Sequence, residues 1–152
     1  MDLPHELTTV RTELSRADTK AATLLGLAGT ATSIAIALIA LNTRQLPIPA
    51  LIGASAAVAH LAASVVVLLL AVRPALPRPG EGAGWPAHAY ATTDSLAATP
   101  AADTERARHA ELICLSRLVG AKYRRIRIAV DLLLAALAAT AGVGIALIAG
   151  AA

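Results

Sequence analysis

Two short basic segments hold most of the side chains in this chain whose type and spacing suit chemistry. The first is Arg16-Ala-Asp18-Thr19-Lys20-Ala21, in which an aspartate flanked by bases stands at the mouth of an uncharged run. The second is Lys122-Tyr123-Arg124-Arg125-Ile126-Arg127, which leads into another apolar run. If both runs are helices entering a bilayer from the same side, Arg16, Lys20, Lys122, Arg124, Arg125 and Arg127 share one depth. With hydroxyls on Ser15, Thr19 and Ser116, that set suits a phosphate together with a ribose or base edge, because guanidinium and ammonium groups give charge-assisted bonds to phosphate oxygens. The same residues have a plainer use as interfacial anchors, with Asp18 paired to a base of the other helix and Arg127 to Asp131 at i, i+4. Residue types leave both readings open.

Little else in the sequence points to reaction chemistry. There is no H-E-x-x-H, no G-x-S-x-G and no Walker loop, and His5, His60, His88 and His109 fall in separate contexts. No metal site, cofactor or enzyme activity is expected. Cys114 is the sole cysteine, which excludes an intrachain disulfide, and on an apolar helix it reads as a packing residue. His60, in the middle of an apolar run, is a functional candidate as an intramembrane titratable group; a neutral imidazole bonded to a neighbouring helix is the commoner outcome. The Gly80, Gly82, Gly84 series mimics a phosphate loop, but no strand precedes it and no helix opens from it.

The elements that must carry these residues are set by composition. Of the 152 residues 57% are hydrophobic and only 15% are charged, against roughly 25% charged in a water-soluble domain. The mean hydropathy is +0.66. Three apolar stretches stand out: Ala21–Leu41, without a charge; Ala50–Val72, whose one titratable member is His60; and Leu132–Ala152, again uncharged. A helix of about 20 residues reaches the roughly 30 Å of a hydrocarbon core. A soluble Ala-rich bundle would show a polar face every three to four residues, and these runs do not. The first run is too long, and preceded by too many polar residues, for a secretory signal peptide. The expected fold is therefore all-α: an integral membrane protein with spans over 21–41, 50–72 and 128–152, the C-terminus lying at the far interface.

Basic residues orient the spans. Arg11, Arg16 and Lys20 precede the first, Arg73 and Arg78 follow the second, and Lys122, Arg124, Arg125 and Arg127 precede the third, while the opposite side receives only Arg44 in the turn 42–49. By the positive-inside rule the N-terminus lies in the cytoplasm, in a multi-pass plasma-membrane protein whose net charge of +3 serves the membrane rather than nucleic acid. The segment 73–99 is rich in proline and glycine and reads as a cytoplasmic linker.

Two amphipathic helices feed the spans from that side, over 3–20 and 100–127. In the first, Leu3, Leu7, Val10, Leu14, Ala17, Ala21 and Leu24 recur at alternating steps of four and three, a seam of period 3.5 that continues into span one. The second starts at Thr99-Pro100 and carries Leu112, Leu115, Val119 and Ile126 on one stripe. The two helical extensions can cover each other's stripe as a cytoplasmic bundle, and their narrow seams leave surface for further copies, so a homo-oligomer is expected.

The segment Glu13-Leu-Ser-Arg-Ala-Asp-Thr-Lys-Ala-Ala-Thr-Leu-Leu-Gly-Leu-Ala-Gly29 resembles the A-D-x-K-A-x-x-L-L-G segment of the Pycsar transmembrane effector family. Leu115-Ser-Arg-Leu-Val-Gly-Ala-Lys-Tyr-Arg-Arg-Ile126, followed by an apolar span, is similar to that family's L-S-x-x-x-x-x-K-y-r-x-l segment. With the hydrophobic layout, the resemblance covers nearly the whole chain. It implies antiphage defence by abortive infection, in which a cyclase makes cyclic CMP or cyclic UMP and the membrane effector responds by impairing membrane integrity. By motif position Ala17, Asp18, Lys20 and Ala21 match the first segment, and Leu115, Ser116, Lys122, Tyr123 and Arg124 the second. Combined with the residue chemistry, the candidate nucleotide-binding set is Arg16, Asp18, Thr19, Lys20, Ser116, Lys122, Tyr123, Arg124 and Arg125. The alternative is a membrane scaffold or plasmid-transfer accessory protein that binds a protein partner through the Leu3–Leu24 seam.

Overall fold

The computed structural model describes residues 3–42, 46–73 and 101–151. Past Arg73, the proposed linker lies outside the described residues, as do the Gly80–Gly84 series, the Thr99-Pro100 helix start and Arg44. Among the described residues there are three α-helices: α1, Leu3–Asn42; α2, Ile48–Val72; and α3, Ala101–Ala151. No strand occurs among the described residues. Both long helices run unbroken from the polar segment into the apolar one, as the sequence leads one to expect. All three are long and apolar enough to cross a membrane.

Local chemistry explains where these helices start and why they persist. The Pro47 carbonyl accepts the first bond of α2 from the Leu51 N–H at 3.0 Å, so Pro49 sits in the opening turn, where no N–H is required. Along α1 the hydroxyls of Thr8, Thr9 and Thr12 donate to carbonyls four residues back, at 2.9–3.0 Å. Thr23, Thr30 and Ser33 do the same in the apolar half. These three, with Gly26 between, recur at helical spacing on exposed positions, a mildly polar stripe that counting charges overlooked. Because each hydroxyl is satisfied by its own helix, the stripe is compatible with hydrocarbon.

The chain divides into two compact units. The first pairs the start of α1, through Asp18, with α3 up to Tyr123. Leu7 and Ala17 are buried there and Leu3, Val10 and Leu14 are half-buried, which is the 3.5-residue seam of the sequence. On α3, Leu112, Leu115, Leu118 and Val119 are half-buried and Lys122 is buried. The apolar seam is thus covered within one chain.

The second unit holds α2 together with α1 from Thr19 and α3 from Arg124. Its interior is made of small side chains: Ala21, Ala28, Ala50, Ala57, Ser64, Ala71, Ala129 and Ala136 are buried, beside Leu68 and Ile126. Its exterior is made of large aliphatic ones, with Leu27 65%, Leu41 81%, Ile52 65%, Ile145 69% and Ile148 75% exposed. In water each such side chain would forgo about 1.5–3 kcal/mol of burial. In hydrocarbon there is nothing to forgo, and helices associate through small residues that let backbones approach. The buried Ser64 hydroxyl donates to the Leu61 carbonyl at 2.7 Å and so leaves no unsatisfied group in that interior.

Glycines divide sharply in their use. A Cβ on Gly53 would lie 2.5 Å from Cγ2 of Val143, so α2 and α3 approach each other closely at this point. Gly26, Gly29, Gly142 and Gly144 face open space instead.

Candidate functional site

Most of the candidate residues fall at the end of the first unit, where an alternation of acidic and basic side chains closes the seam. Lys122 occupies a seam position, three residues after Val119 and four before Ile126, where a hydrophobic residue would be ordinary. Its side chain is only 10% exposed, and its ammonium is ion-paired with the Asp18 carboxylate, whose side chain is 45% exposed. A desolvated lysine needs such a partner, since an unpaired buried charge costs several kcal/mol. The plainer sequence reading, Asp18 paired with a base of the other helix, is therefore realised in the geometry.

A second cluster lies in the same unit. Glu13 accepts one bond from Arg16 Nη1 at 2.6 Å and another from the Tyr123 hydroxyl at 3.0 Å. The bond from Tyr123 to the Glu13 carboxylate holds the phenol above its usual pKa, helped by desolvation and by the Glu13 charge and opposed by the Arg16 charge. A raised folded-state pKa means that this contribution is fully present below the unfolded tyrosine value, near 10, and is lost as pH rises through the folded value. Wild type should therefore lose stability relative to Tyr123→Phe in thermal melts taken at increasing pH above about 10. Parallel behaviour of the two proteins across that window would show that the Tyr123–Glu13 bond is not made in solution. Further out, Arg11 Nη2 reaches Glu111 Oε1 at 2.7 Å.

Glu13 was not singled out by the sequence reading, although it stands three residues before Arg16 on the same helix face and receives both bonds. The remaining candidates distribute as follows. Ser116 is exposed on α3 of the first unit. In the second unit Thr19, Lys20 and Arg124 are exposed, while Arg125 Nη1 donates to the Leu70 carbonyl at 2.6 Å. That carbonyl belongs to the last turn of α2, which has no helical N–H to accept from, so Arg125 acts as a helix cap. Arg127 and Asp131 are both exposed, and among the described residues no ion pair joins them, contrary to the i, i+4 expectation. His60 is half-buried, and its Nδ1 meets the Ala56 carbonyl of its own helix at 2.7 Å, so the expected bond to a neighbouring helix is replaced by a local one. Cys114 is exposed rather than packed. Among the described residues no group of acidic, histidine or cysteine side chains could hold a metal ion.

The family model for the Pycsar effector protein domain matches residues 2–150. The chain belongs to the Pycsar effector family. That membership gives it a role in Pycsar antiphage defence, and with three apolar helices of spanning length it makes this effector a multi-pass membrane protein. No curated protein and no solved structure matches it. Within the effector, the segments that carried the resemblance are the ones that supply the Asp18–Lys122 pair and the Glu13 cluster.

Proposed function

We propose that this effector is switched by a cyclic pyrimidine nucleotide, cyclic CMP or cyclic UMP, and that the switched state impairs membrane integrity without any catalytic step. The single observation that supports this best is the buried Lys122 held by Asp18 inside an otherwise apolar seam. A cation kept out of water at that position is a stored site for an anion, and a phosphodiester is a competing partner for it. When the phosphate takes Lys122 from Asp18, the seam loses the charge pair that fixes its register. Arg16, Ser116 and Tyr123 belong to the same unit as Lys122, and the sequence motifs add Thr19, Lys20, Arg124 and Arg125 to the candidate set.

The nucleotide shifts the population only by its differential affinity for the two arrangements, so the pre-existing Asp18–Lys122 pair sets the threshold for response. Downstream, the alanine-lined interior of the apolar unit offers helix faces that can repack at close range. The extensions lie on the cytoplasmic side in this proposal, where a cyclase product would reach them, and several copies assemble. The scaffold alternative needs the Leu3–Leu24 seam as a docking face, and Leu7, Ala17 and Ala21 of that seam are already buried within the chain.

Calorimetric titration of the purified protein with cyclic CMP, cyclic UMP and cyclic AMP tests the proposal. One or both pyrimidine nucleotides should bind and cyclic AMP should not. Replacing Lys20 or Arg124 by Ala should weaken binding by about tenfold or more, as expected for a lost charge-assisted bond, with membrane insertion retained. Undiminished affinity in both variants would remove the basic cluster from the site.

A further inference from the structure

Polar bonds between α1 and α3 in the first unit follow a single register. Along α1 the seam is a heptad in which Leu7, Leu14 and Ala21 take position a and Val10, Ala17 and Leu24 take position d. Along α3 Leu112, Val119 and Ile126 take a, and Leu115, Lys122 and Ala129 take d. Setting a against a and d against d puts Ala17 in one layer with Lys122, 105 residues further on. The e of one heptad lies five residues after the g of the heptad before it, so e and g partners across a parallel coil should depart from that offset by about five residues. They do. The Tyr123 hydroxyl, at e, donates to Glu13, at g, 110 residues away. Arg11, at e, donates to Glu111, at g, 100 residues away. Asp18, at e, flanks the d layer and holds Lys122.

The second unit, taken by itself, keeps the same register. Its α1 seam continues beyond Leu24 through Ala28, Ala31 and Ala35, and its α3 seam beyond Ala129 through Leu133, Ala136 and Thr140. These six residues line one groove, in pairs that are again 105 residues apart. Each of the two helices is unbroken at the boundary between the units. Neither adds a residue to the repeat there, since Ala17 to Ala21 and Lys122 to Ile126 are both ordinary steps from d to a.

We propose that α1 and α3 are one intramolecular parallel coiled coil, and that its unbroken heptad phase carries a change at Lys122 from the extension into the spans. The trigger rests on the nucleotide reading; the path rests on the register alone. From Leu112 to Thr140 on α3, Lys122 is the one charged residue at an a or d position. A charged core residue fixes register at a cost in stability, so loss of its Asp18 partner frees the neighbouring layers to repack. A stutter after that layer would absorb the change by local unwinding. With none present, the layers Ala21 with Ile126 and Leu24 with Ala129 repack together with it.

Cysteine crosslinking of the full chain in liposomes, in a Cys114→Ser background, tests this. Leu14→Cys with Val119→Cys reports the extension, and Leu24→Cys with Ala129→Cys the span side. Both pairs should oxidise readily, whereas Leu24→Cys with Ala136→Cys, about 10 Å out of register, should do so about tenfold more slowly. Two residues inserted in both helices, after Asp18 and after Tyr123, turn the following seam through about 200°. One of the two in-register pairs should then slow about tenfold, and the chain should bind cyclic CMP or cyclic UMP without releasing dye. Seven residues inserted at the same places keep the phase to within about 20° and should retain both crosslinks and the release. Equal rates for the Ala129 and Ala136 pairings, a comparison that needs no lengthened chain, would overturn the proposal. So would a two-residue insertion that keeps both crosslinks at wild-type rates or releases dye as wild type does. If wild type binds neither nucleotide, the nucleotide reading fails, and the crosslinks of the two lengthened chains still decide the phase.

Discussion

Asp18→Ala is expected to destabilise the protein by about 3 kcal/mol, whereas Lys122→Met, at the other end of the same ion pair, should leave stability unchanged or raise it. The asymmetry follows from burial. Deleting Asp18 strands an ammonium whose side chain is 10% exposed, while deleting Lys122 leaves a carboxylate that is 45% exposed and still reaches water. Methionine also restores an apolar residue to a seam position and has the flexibility to fill it. Circular-dichroism melts of the two variants in detergent measure the difference. Equal losses in both would mean that Lys122 is solvated when Asp18 is gone, and that the seam does not confine it.

The second large effect is at Gly53. A Cβ there meets Val143 at 2.5 Å, and a β-branched valine has little rotamer freedom with which to retreat. Gly53→Ala should cost about 1–3 kcal/mol as an overpacked contact, and Gly53→Leu more. Val143→Ala should restore most of the loss in the Gly53→Ala background, because it removes the atom that clashes. Gly142→Ala, at a position with open space around it, serves as the control and should change little. If the two glycine variants melt alike, the close approach of α2 and α3 at this point is wrong.

Most of the architecture could be read from the sequence. The steps of four and three from Leu3 to Leu24 describe one uninterrupted α1, and Leu7, Ala17 and Ala21 are buried as that period requires. The helix α2 begins at Ile48, two residues before the apolar run Ala50–Val72, and takes in Pro49, because a proline in the first turn of a helix is harmless.

The candidate site was legible in part. Asp18 and Lys122 stood out by type, but their pairing depends on Lys122 facing the seam. The spacing Leu115, Val119, Lys122, Ile126 already contained that information, and the charge of the residue obscured it. Arg125 shows the opposite limit. Nothing in a run of bases distinguishes the one that caps the α2 carbonyls from its neighbours, because the distinction is made by where another helix ends. Small residues pose the same difficulty: only the partner helix decides that Gly53 is in contact while Gly26 and Gly144 are open.

Dye release from liposomes reconstituted with the full chain tests most directly whether a cyclic nucleotide acting at Lys122 switches the membrane-embedded helices. Release should rise when cyclic CMP or cyclic UMP is added on the side that exposes the helical extensions, and Lys122→Met should insert and fold but fail to respond. Release that is indifferent to both nucleotides in wild type, or identical in wild type and Lys122→Met, would contradict it.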